Sequence, residues 1–86
     1  MRKVLFEKQA VDDLQYWTST NLKTLKKIVE LIGNIQKHPH EGIGKPEALK
    51  YDFKGFWSRR ITDEHRIIYC VDDDVIIVAS CRYHYK

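Results

Sequence analysis

The chain contains no apolar run approaching the roughly 20 residues that a membrane-spanning helix needs, which argues against a membrane protein. Its first residues, MRKVLFEKQAVDD, lack the apolar core of a secretion signal and turn acidic early, so a cytoplasmic protein is expected. Cysteine is scarce. Cys70 and Cys81 both sit in apolar, strand-like runs, and neither has a histidine at the spacing of a structural zinc site or a nucleophile pair. With no sign of export a disulfide is disfavoured, and both read as small buried apolar residues. No repeat, linker or low-complexity segment interrupts the chain. Its 86 residues bound it to a single domain, 1–86, near the lower end of what one hydrophobic core supports.

What is present is a folded composition, 43% hydrophobic and 31% charged. KVLF reads as a first strand. In EKQAVDDLQYW, Ala10, Leu14 and Trp17 recur at helical spacing, with Asp12 and Asp13 outward. TSTN breaks the pattern and offers Thr20 or Asn21 as the cap of a second helix. That helix, LKTLKKIVELIGNIQKH, carries one apolar stripe: Leu22, Leu25, Ile28, Val29, Ile32 and Ile35. Pro39 marks its end, and PHEGIGKPEALK is a loop. Three strand candidates follow. YDFKGFWSRRIT turns at Lys54-Gly55 with strand on both sides, and EHRIIYCV joins VIIVASCRYHY across an acidic hairpin loop. This order predicts an α+β fold, with an N-terminal strand and two helices packed on one face of a small antiparallel sheet.

The charge of +3 and pI of about 8.9 are mildly basic, but their distribution is more specific. Residues 45–66 hold six cations against four anions, interleaved with Tyr51, Phe53, Phe56 and Trp57, a mixture suited to RNA phosphates and bases. Solvated charges around core aromatics, with Asp63 and Glu64 as local partners, would produce the same pattern without a ligand. Strand alternation puts Trp57, Arg59 and Ile61 on one face and Ser58, Arg60 and Thr62 on the other. A three-residue loop at Asp72–Asp74 would pair Arg66 with Ser80 and gather Arg66, Arg82 and His84 on one face. Arginines on neighbouring strands repel unless an anion lies among them, and phosphate fits the guanidinium fork. His84 can act as an acid or a base near neutral pH, and Glu47, flanked by Lys45 and Lys50, can accept a proton. A base, an acid and arginines suffice to cleave RNA without a metal. HPHE brings His38, His40 and Glu41 close together, but no further ligand lies at a zinc spacing, so neither metal nor cofactor is expected. His65 has no assigned role.

Together GKPEALK, GFWSRRITDEHRIIY and CRYHY resemble the YoeB-type toxins (Txe/YoeB family, RelE superfamily), and the match runs from DDLQYW to the last residues. The resemblance implies a RelE-like fold and a bacterial type II toxin, an endoribonuclease that cuts mRNA in the ribosomal A site. It implies a YefM-like antitoxin as partner and a capacity to form a homodimer. Carried over by position, Glu47 matches the general base, His84 the general acid, Arg66 the residue stabilising the phosphate and Tyr85 a tyrosine that arranges the nucleotide. Lys50 and Arg60 match supporting cations, and Arg59 and Arg82 complete the candidate substrate-binding set. Ser80 stands where Ala is expected, and Lys86 extends beyond the terminal tyrosine. The competing readings are a non-catalytic inhibitor that binds a target such as gyrase, as ParE-type relatives do, and a plain RNA-binding domain.

Overall fold

A computed structural model describes residues 1–83; His84, Tyr85 and Lys86 lie outside the described residues. The chain runs β1 (Lys3–Phe6), α1 (Lys8–Thr20), α2 (Leu22–Lys37), β2 (Glu47–Ala48), a single 3-10 turn (Tyr51–Phe53), β3 (Trp57–Arg60), β4 (Arg66–Asp72) and β5 (Val75–Ser80). Among the described residues these strands form one sheet in the order β1-β5-β4-β3-β2. The α+β architecture is the expected one, with one refinement: β1 lies parallel to β5, so the sheet is mixed. β1 and β2 occupy opposite edges, and the two helices carry the chain between them.

The core lies between the helices and one sheet face. Ala10 and Trp17 of α1 and Ile28, Leu31 and Ile35 of α2 pack on Ile67, Tyr69, Ile76 and Val78. The buried positions of α2 are Thr24, Ile28, Leu31 and Ile35, a regular helical stripe. Leu22 and Val29, expected in that stripe, are exposed, because the burying face is rotated toward Leu31. Asn21 ends α1 and caps α2, its side chain accepting from the Thr24 N–H at 3.1 Å. No helix among the described residues is long and apolar enough to cross a membrane.

Three local expectations are corrected. Asp13 points inward, where its carboxylate accepts from the Cys81 N–H at 2.9 Å and from Gln9 at 2.9 Å. The strand before Gly55 is Glu47–Ala48, while residues 51–53 form the 3-10 turn. The acidic hairpin has a two-residue turn, Asp73-Asp74, closed by the Asp72–Val75 pair, with Asp73 at φ 55°. That turn shifts the register by one residue. A bulge then shifts it again, since Tyr69 pairs with Val78 but Ile68 pairs with Ser80. Ile67 and Tyr69 take the core face of β4, so alternation puts Arg66 and Ile68 on the face away from the helices, with Ile68 and not Arg66 paired to Ser80.

Both cysteines are free thiols. Burial pushes the Cys81 thiol up to about 12, with Asp13 adding to the effect. Burial, Asp72 and Glu7 likewise raise Cys70. Thiolate is the reactive form. Iodoacetamide at neutral pH is therefore expected to spare Cys81 in the folded chain and to label it in denaturant. Labelling of native Cys81 would contradict this account.

Candidate active site

The loop between α2 and β2 is built around one side chain. Arg59 points from β3 toward the helices and is fully buried. All five of its N–H donors are matched. Nε donates to the Tyr69 hydroxyl at 3.1 Å, NH1 to Asn34 Oδ1 and the Ile43 carbonyl, and NH2 to the carbonyls of His38 and Glu41. Every acceptor is neutral. The Tyr69 hydroxyl in turn donates to the Pro39 carbonyl at 2.6 Å. Burial raises the Tyr69 pKa, and the Arg59 hydrogen bond and charge oppose that rise. The expectation that Arg59 meets substrate is thereby corrected, because no donor of its guanidinium is left for a phosphate. HPHE also has a different role from metal binding. Its His38, Pro39 and Glu41 supply carbonyls to this network, and the His40 ring lies 4.7 Å from Trp57. Among the described residues no group of three His, Cys, Asp or Glu side chains could hold a metal ion.

This network delivers Glu47. The Arg60 N–H donates to the Gly44 carbonyl at 2.6 Å, docking the loop on β3. Gly44 has φ 82°, and a Cβ there would lie 2.8 Å from the Leu31 side chain and 3.2 Å from Arg59, so only glycine fits. Lys45 follows at φ 52°, an unusual conformation for a side-chain-bearing residue. Pro46 then leads into β2, where Glu47 pairs with Ser58.

On the sheet face away from the helices, Lys45, Pro46, Glu47, Ser58, Arg60 and Arg66 line an open groove of about 340 Å³. Arg60 and Arg66 are direct cross-strand partners. Like charges so placed repel, and among the described residues Glu47 is the one carboxylate lining the groove, beside three cations. Among the described residues Arg60 Nε is buried with no hydrogen-bond partner, as are the Nε atoms of Arg2 and Arg82 elsewhere. The only ion pair of Arg60 among the described residues is a long contact to Asp63 at 3.9 Å. The hydrogen bonds of Arg66 run from NH1 to the carbonyls of Thr62, Asp63 and His65, which orient the guanidinium from the adjoining turn. An anion in the groove would offset the Arg60–Arg66 repulsion and give Arg60 Nε an acceptor.

Of the sequence-predicted set, the structure brings Glu47, Arg60 and Arg66 together. Lys50 is exposed at the start of the 3-10 turn, outside the groove lining. Arg82 is also elsewhere, its guanidinium 3.4 Å from the Tyr16 ring centroid on α1 and 4.5 Å from that of Tyr83. The expectation that it shares a face with Arg66 fails because β5 ends at Ser80 and strand alternation stops there. His84 and Tyr85 lie outside the described residues. Sequence reasoning missed Lys45 and Ser58 as lining residues. Ser58 was legible as the neighbour of Arg60 on its own face, whereas Lys45 depends on the turn at Gly44.

Residues 6–85 match the family of YoeB-like toxins of bacterial type II toxin-antitoxin systems. The chain is 51% identical over 83 residues to Toxin YoeB of Escherichia coli strain K12, covering 96% of this chain and 99% of that one. It superposes on the toxin in a heterotetrameric YoeB-YefM toxin-antitoxin complex from Staphylococcus aureus with a TM-score of 0.90, at 46% identity over 99% of each chain. A YoeB dimer from Staphylococcus aureus matches with a TM-score of 0.91, at 47% identity over 98% of each chain.

The geometry separates two adjacent arginines by role. Arg59→Lys supplies at most three donors to five acceptors and is expected to lower stability by at least about 2 kcal/mol. Arg60→Gln removes a half-exposed charge and is expected to change stability by less than about 0.5 kcal/mol. Urea denaturation checks both, and equal effects would contradict the assignment.

Proposed function

The chain belongs to the family of YoeB-like toxins of bacterial type II toxin-antitoxin systems, and on that premise we propose that it is an endoribonuclease that cleaves mRNA in the ribosomal A site and so arrests translation. One observation carries the reading from the side of chemistry. A carboxylate, Glu47, lines the same groove as the cross-strand pair Arg60 and Arg66. A surface that only binds RNA has no need of a carboxylate beside its phosphate-binding arginines, because the carboxylate repels the backbone.

In the proposed reaction the scissile phosphate binds against Arg60 and Arg66. Glu47 accepts the proton of the 2′-hydroxyl. The 2′-oxygen attacks phosphorus, and negative charge builds on the phosphoryl oxygens, where the two guanidiniums stabilise it. The bond from phosphorus to the 5′-oxygen breaks, and His84 donates a proton to that leaving oxygen. Tyr85 arranges the nucleotide, and Lys45 and Lys50 add to the positive field around the strand. The products are a 2′,3′-cyclic phosphate (or the 3′-phosphate from its hydrolysis) and a 5′-hydroxyl. These groups cover base, acid and charge stabilisation, so the proposed reaction is metal-independent. A YefM-like antitoxin is the proposed partner and a homodimer the proposed free form, supported by the Staphylococcus aureus relatives. Action on ribosomes places the proposed site of work in the cytoplasm.

Purified protein incubated with a defined mRNA, with and without programmed ribosomes, tests the reading. Cuts that require ribosomes and leave a 5′-hydroxyl at the A-site codon are expected. Glu47→Ala and His84→Ala are each expected to keep the wild-type melting temperature and lose about 100-fold or more in rate. A folded protein that cuts under neither condition would instead point to an inhibitor acting by binding, with gyrase as the first target to try.

A further inference from the structure

Residues 81–83, which follow β5, are held by the rest of the fold. They have left the strand, yet four hydrogen bonds to their backbone tie them to other elements. The Cys81 N–H donates to Asp13 at 2.9 Å, and the Trp17 indole N–H donates to the Cys81 carbonyl at 2.8 Å. The Tyr83 N–H donates to Nδ1 of His65 at 2.8 Å, and the Arg66 N–H donates to the Tyr83 carbonyl at 3.0 Å. Between these two pairs, Arg82 stacks on Tyr16. Tyr83 itself has φ 65°, a left-handed conformation that a tyrosine adopts only when its surroundings impose it.

His65 supplies the side-chain acceptor for the Tyr83 N–H. Its ring is largely buried, 13% exposed, and stands edge-on to Trp17 at 4.8 Å. Because Nδ1 accepts, the ring proton belongs on Nε2, which faces the Glu64 carboxylate at 3.9 Å. The His65 carbonyl accepts from the N–H groups of Ile61 and Thr62 and from Arg66 NH1. One residue thus ties the core at Trp17, the turn that orients Arg66, and the chain one bond before residue 84.

We propose that His65 is a positioning residue whose Nδ1 clamps the Tyr83 N–H and so sets the course of the chain into His84 and Tyr85. The effect on cleavage rests on the nuclease reading above; the clamp itself does not. A small misplacement of an acid relative to its leaving group lowers the rate steeply, so the clamp acts on kcat.

Two variants of the full chain separate clamping from packing. His65→Phe keeps a ring against Trp17 and removes the acceptor. His65→Asn removes the ring and keeps a side-chain oxygen near the position of Nδ1. Hydrogen exchange at the Tyr83 amide reads the clamp, and ribosome-dependent cleavage reads kcat and KM. In the wild type the Tyr83 amide is expected to be protected. In His65→Phe it is expected to exchange about tenfold faster, as for one lost hydrogen bond, with kcat down by about 100-fold and KM for programmed ribosomes little changed. His65→Asn is expected to recover most of both. Unchanged Tyr83 exchange in His65→Phe overturns the clamp. Faster exchange with a wild-type kcat overturns its bearing on catalysis. Should His65→Phe fail to fold, a folded His65→Asn with an unprotected Tyr83 amide overturns the proposal by itself. A wild-type chain that cuts no RNA while Tyr83 exchange follows the expected pattern sinks the nuclease reading and upholds the clamp.

Discussion

The arrangement depends on a guanidinium that never meets solvent. Arg59 sits inside the molecule with five neutral acceptors for its five donors, three of them carbonyls of the loop between α2 and β2. Withdrawing such a charge from water is costly unless every donor is matched. The loop conformation is therefore specified by the demand of the arginine, and the loop in turn has no helix or strand of its own to satisfy those carbonyls. Gly44, pressed against Leu31 and β3, fixes where this loop leaves the core. Lys45 and Glu47 then arrive beside Arg60 and Arg66. Two consecutive arginines on one strand thus divide the work. The one facing the helices organises the loop, and the one facing away meets the groove that the loop completes.

The segment after β5, as far as Tyr83, follows the same logic on a smaller scale. Asp13 and Trp17 on α1 take the backbone of Cys81, and His65 and Arg66 take the backbone of Tyr83. In both places a polar side chain at the edge of the core captures main chain that has left regular structure. The sheet supplies Ser58, Arg60 and Arg66 on rigid strands, and the captured loop between α2 and β2 brings Lys45 and Glu47 beside them. A domain of 86 residues has little core to spare. Its polar core residues therefore serve both the fold and the placement of the site.

Much of this was legible in the sequence. The helical periods of α1 and α2, the Asn21 cap and the strand-rich second half follow from local spacing and capping chemistry. Alternation put Arg59 and Arg60 on opposite faces correctly. What it did not supply was the meaning of the inward face, because nothing near Arg59 in sequence announces carbonyls contributed from residues 38–43. Asp13 was misread for a related reason, since its partner is the N–H of Cys81, 68 positions away. The parallel pairing of β1 with β5 joins strands separated by almost the whole chain, and no local pattern encodes it. Arg66 faces away from the helices because Ile67 and Tyr69 on the same strand take the core face, while the expected pairing with Ser80 went instead to Ile68. The groups recognised by resemblance at positions 84 and 85 lie beyond residues 1–83, so their part in the site remains a proposal.

The central claim is that the groove formed by Glu47, Arg60 and Arg66 is where an RNA phosphate reacts. A crystal structure of the protein with a bound nucleoside 3′-phosphate, the form of one product end, tests it most directly. The account predicts the phosphate between the Arg60 and Arg66 guanidiniums, with Arg60 Nε donating to it and the ribose 2′-oxygen within hydrogen-bond reach of Glu47. A nucleotide bound elsewhere, with this groove empty at saturating ligand, would contradict it.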